Sequence, residues 1–71
     1  MFKRRNDVKR IKDIIGNLIS TDADLANESL DKANQFIEDP EVCIRYMDDY
    51  RAYRDEMRSY RRLLDLIEKE F

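Results

Sequence analysis

Histidine is absent from this chain, and cysteine, glycine and proline occur once each. Without histidine, neither a Ser–His nor a Cys–His nucleophile can be assembled. With no histidine and a single thiol, zinc has no ligand set. One cysteine also excludes an intrachain disulfide. Turn residues are scarce and no stretch alternates polar and apolar residues for long, so a β fold is poorly supported. No apolar run approaches the length of a membrane span. Phe2 followed by Lys3-Arg4-Arg5 opens onto no hydrophobic signal-peptide core. These absences predict a non-enzymatic cytoplasmic protein with no metal, cofactor, small-molecule substrate or membrane contact.

Seventy-one residues make one domain at most, near the lower limit for folding on a single core. With no disulfide or metal to staple it, oligomerisation or partner binding is the remaining route to comfortable stability. The net charge of −2 conceals an asymmetry. Residues 1–13 carry six basic side chains against two acidic ones, and residues 22–41 carry one against seven. Residues 42–71 balance at seven each. Oppositely charged segments attract each other when packed side by side, or attract outside partners.

What is present is helical periodicity. From Asp39 to Phe71, the residues Cys43, Tyr46, Tyr50, Tyr53, Met57, Tyr60, Leu64, Ile67 and Phe71 recur in three-four steps without a break. Asp39-Pro40-Glu41 is a start signal, with Asp39 as N-cap, Pro40 at the first helical position and an acid beside the positive helix end. The spacing predicts a helix over 40–70, on the order of 45 Å long.

Two shorter helices are expected before it. Val8, Ile11, Ile15 and Leu18, widened by Ile14 and Ile19, predict a helix over 6–19 whose aliphatic face is core. Gly16 costs it roughly 1 kcal/mol relative to alanine and either ends or frays it. Ser20-Thr21-Asp22 reads as a break, with Thr21 and Asp24 approximating a capping box. A second helix over 22–38 then carries the seam Ala23, Ala26, Leu30, Ala33 and Ile37. Its alanines suit close approach of the bulky tyrosines that follow. The short link at Asp39-Pro40 predicts an antiparallel hairpin between the second and third helices.

The expected architecture is therefore an all-α, three-helix domain over residues 1–71, with a long projecting C-terminal helix. Its far half, from Met57 to Phe71, has no cover from its own chain unless the first helix runs past the second. An exposed apolar patch of that kind marks an interface.

Chemistry-bearing constellations are few. Asp22-x-Asp24 resembles the opening of a calcium loop, but Ala26, Asn27 and Ala33 stand where a ligand, the glycine and the closing glutamate belong. Cys43 sits near a helix start, where a thiol pKa can fall, and reads as a small core residue. The carboxylates are interleaved with basic residues and form no evident acid–base pair.

The distinctive stretch is Tyr50 to Arg62. Arg51, Arg54, Arg58 and Arg61, with Arg62 alongside, form a stripe of their own beside the tyrosines. Tyr and Arg are enriched at binding hot spots, and they also suit phosphate contacts and base stacking. A solvated flank held by Asp48–Arg51, Arg51–Asp55 and Asp55–Arg58 pairs is the plain alternative. In a parallel two-stranded coil, Asp49–Arg54 and Glu56–Arg61 pairs would attract across the interface, although tyrosine is a poor seam residue for one.

The expected contacts with a protein partner, or with a second copy, are Tyr53, Arg54, Met57, Arg58, Tyr60, Arg61, Leu64, Ile67 and Phe71. The function expected is an interaction module that inhibits or regulates a larger protein, self-associates, or does both. One alternative is a nucleic-acid-binding regulator using Lys3, Arg4, Arg5, Lys9, Arg10 and Lys12 with the arginine stripe. Another is a structural subunit of a larger helical assembly.

Overall fold

The computed structural model describes the backbone of residues 4–70 and the side chains of residues 7–70. Among these the regular structure is all helical, with α1 over Arg4–Gln35 and α2 over Pro40–Glu70. A turn at residues 36–38 joins them into an antiparallel hairpin measuring 54 × 15 × 14 Å. The all-α expectation holds, but the described residues form two helices, not three.

The start of α2 follows its sequence signal. Asp39 Oδ1 accepts a 3.5 Å hydrogen bond from the Val42 amide, and the Asp39 carbonyl accepts the first helical bond, from Cys43, at 2.9 Å. Pro40 opens the helix, where a missing N–H removes no intrahelical bond. The turn closes with the Asp39 amide donating to the Phe36 carbonyl at 2.9 Å. Phe36 stacks on Tyr46 across it, ring centroids 5.9 Å apart.

The break expected at Ser20-Thr21-Asp22 does not form. Helix α1 runs through it for 32 residues. Each of these residues disfavours a helix interior only by tenths of a kcal/mol, and packing against α2 outweighs that. Asp22 caps nothing; it is a buried residue on the inward face, 5% exposed. Ile15, Asp22 and Ser29 recur by sevens, with Ala26 and Ala33 beside them, and all five are buried. Ala23 and Leu30, expected on the seam, are half-buried on one side of it. Gly16 neither ends nor frays the helix, and a Cβ there would meet nothing within 4 Å.

Because α1 matches the 31 residues of α2 in length, the C-terminal helix does not project. Its far half lies along the first turns of α1, where Lys12 Nζ meets Glu68 Oε1 at 3.3 Å. Tyr53, Met57, Tyr60, Leu64 and Ile67 are half-buried, and no α2 residue is fully buried. The small residues Ala26, Ser29 and Ala33 let the tyrosine-bearing helix approach closely.

Candidate protein-interaction site

Two helices leave two flanks, and the contacts between them sort residues onto each. The Lys12–Glu68 ion pair marks the first flank. On α1, Ala23 and Leu30 share Lys12's side of the seam by helical spacing, and Ile37 lies beyond the helix end in the turn. On α2, Glu68's side carries Ile44, Met47, Arg51, Arg54, Arg58 and Arg61, again in three-four steps. Ile37 is 67% exposed and Ile44 60%, the two most exposed large apolar residues described.

The arginines there are not absorbed internally. Arg51, Arg54, Arg58, Arg61 and Arg62 are exposed, and among the described residues none forms an ion pair with the interleaved acids. The expected Asp48–Arg51, Arg51–Asp55 and Asp55–Arg58 pairs are absent. Only Arg54 has a defined contact, its guanidinium lying 5.6 Å from the Tyr50 ring centroid, within cation–π range. Shallow grooves run along this ridge, one lined by Met47, Tyr50, Arg51, Arg54, Asp55 and Arg58, the next by Arg54, Met57, Arg58 and Arg61.

The second flank holds an electrostatic conflict. Buried Asp22 faces Glu56 of α2, and Asp22 Oδ2 has no hydrogen-bond donor. The Glu56 carboxyl is pushed above its ordinary value of 4.5, first by hydrogen bonding with Asp22, then by its charge, then by desolvation. A carboxylate facing Glu56 favours the protonated form of the Glu56 carboxyl. Sequence reasoning missed this pair because Asp22 had been assigned to a helix start. A shallow groove lined by Leu25, Glu28, Ser29, Lys32, Tyr46 and Tyr53 lies on the same flank.

The expected partner contacts thus divide. Arg54, Arg58 and Arg61 stand on the open flank, while Tyr53, Met57, Tyr60, Leu64 and Ile67 pack along α1. Phe71 lies outside the described residues. With the α2 seam occupied by α1, a parallel two-stranded coil through it would require the hairpin to open, and Glu56 faces Asp22 within the chain. Of the basic amino-terminal set, Lys9 and Arg10 are exposed and Lys12 is paired with Glu68. Lys3 and the side chains of Arg4 and Arg5 lie outside the described residues.

Among the described residues no group of three or more His, Cys, Asp or Glu side chains is placed to hold a metal ion, and no helix is long and apolar enough to cross a membrane. Cys43 is half-buried on the seam. In comparisons with protein families, curated proteins and solved structures, nothing matches this chain.

Proposed function

We propose that this chain is a small, non-enzymatic interaction module that engages protein through the arginine flank of α2, acting as an inhibitor or regulator of what it binds. The observation that carries this reading is the unpaired arginine ridge beside exposed Ile44 and Met47. Guanidinium groups over an apolar, tyrosine-bearing floor suit a protein surface with carboxylates around an apolar centre. Tyr60 and Leu64 are poor probes of it, because changing them also disturbs the packing of the hairpin.

A photo-crosslinking residue at Arg58 of the full chain, irradiated in the producing cell, tests the reading. Adducts to protein that disappear with Arg54→Glu are expected; adducts to nucleic acid alone would overturn it. Nucleic-acid binding is the second reading, favoured by the same unpaired ridge together with exposed Lys9 and Arg10. It requires affinity that falls steeply with salt.

A further inference from the structure

The arginine ridge has a counterpart on the same molecule. Asp24, Glu28, Asp31 and Glu38 are all exposed, and among the described residues none makes an ion pair. At about 100° per residue Asp24, Glu28 and Asp31 fall within an arc of about 60° on α1, directly opposite the buried Ile15–Asp22–Ala26–Ala33 face. They therefore point away from α2. On α1 the ridge spans about 11 Å, against about 16 Å for Arg51–Arg62 on α2. Within one hairpin the two ridges cannot meet.

The hairpin also exposes more surface than a compact monomer of its mass, 6053 Å² against about 4,700 Å² for 8.6 kDa, as its 54 × 15 × 14 Å shape requires.

From these observations we infer that the flank bearing Ala23 and Leu30 on α1 and Ile44, Met47, Arg51 and Arg58 on α2 docks on the same flank of a second copy, forming a four-helix bundle. A two-fold axis parallel to the hairpin lays α1 of each copy against α2 of the other. Within the hairpin, Lys12 lies beside Glu68, Asp22 beside Glu56 and Phe36 beside Tyr46. The same register between copies brings Arg58 and Arg51 within one helical turn of Asp24 and Asp31 of the second copy. Both pairs recur twice by symmetry. Ala23 leaves room for the long side chains that cross the interface, and Leu30, Ile44 and Met47 leave water together.

The inference rests on the proposed arginine-flank reading and names its occupant. Light scattering of the full chain at micromolar concentration is expected to give twice the 8.6 kDa chain mass. Arg51→Glu/Arg58→Glu and Asp24→Lys/Asp31→Lys should each be monomeric with helix content retained by circular dichroism. An equimolar mixture of the two should regain the dimer, since both zones again oppose unlike charges. A monomeric wild-type chain, a dimer surviving either double reversal, or a mixture of folded variants that stays monomeric would overturn it. If a monomeric wild-type chain still forms protein adducts from Arg58, the arginine-flank reading stands and the second-copy occupant alone is lost.

Discussion

The turn half of the hairpin and its middle are held by opposite logic. Near the turn, Ala26, Ser29 and Ala33 are buried beneath a helix carrying Tyr46, Tyr50 and Tyr53, and Phe36 stacks on Tyr46. Shape decides there, with small residues receiving large ones. In the middle, Asp22 occupies an equivalent inward position but meets Glu56, and its Oδ2 finds no donor. Charge decides there, and it opposes folding. One seam can therefore carry a well-packed segment and a frustrated one within a few helical turns of each other, which is where a hairpin with a thin core should respond most to substitution.

The largest effect should come from spoiling the packed half. Ala26→Leu inserts three carbons where the alanine is 3% exposed, and overpacking should remove about 2–3 kcal/mol of stability, measured by urea denaturation. A neutral outcome would mean that the turn half is as loose as the middle.

Relieving the frustrated half should do the reverse. Asp22→Leu is expected to add about 1–2 kcal/mol at neutral pH, because a buried carboxylate lacking a donor is replaced by apolar packing. The pH dependence follows from Glu56. Its folded pKa lies above the ordinary value of 4.5, so the folded state holds that proton more tightly than the unfolded state. Stability from this group is fully present below the unfolded pKa and is lost as pH rises through the folded one. Glu56→Gln should therefore raise the melting temperature at neutral pH, with the gain shrinking on acidification. A gain independent of pH would remove the carboxyl pair as its cause.

The smallest effect concerns a site on neither side of the contrast. Gly16→Ala has open space for its methyl group and should add roughly 0.5–1 kcal/mol, raising the melting temperature by several degrees. A loss would reveal a helix packed against Gly16 in solution.

The same contrast explains what the sequence disclosed. Helix α2 was legible to its first residue, because Asp39-Pro40-Glu41 combines cap, proline and dipole signals, and the seam from Cys43 to Ile67 is apolar or aromatic at every step. The short link also announced an antiparallel hairpin. Helix α1 was cut in two because its inward face turns polar at Asp22 and Ser29, and a stripe defined by apolar residues ends where they begin. The seven-residue spacing of Ile15, Asp22 and Ser29 held the missing information, but it points to one helix only once α2 is known to lie alongside. That continuity changed the candidate site. Leu64 and Ile67, expected on an uncovered end, lie along α1, leaving the arginine flank as the open surface. Its unpaired state was not legible either, since acids at three- and four-residue spacing looked sufficient to neutralise it.

The uninterrupted run of α1 through Ser20-Thr21-Asp22 is the central claim, because it closes the α2 seam and confines partners to the flanks. Amide hydrogen exchange measured residue by residue tests it directly. The structure predicts that the Thr21, Asp22 and Ala23 amides exchange as slowly as those of Leu25 and Ala26. Fast exchange confined to residues 20–23, between two protected segments, would contradict it and restore the three-helix arrangement.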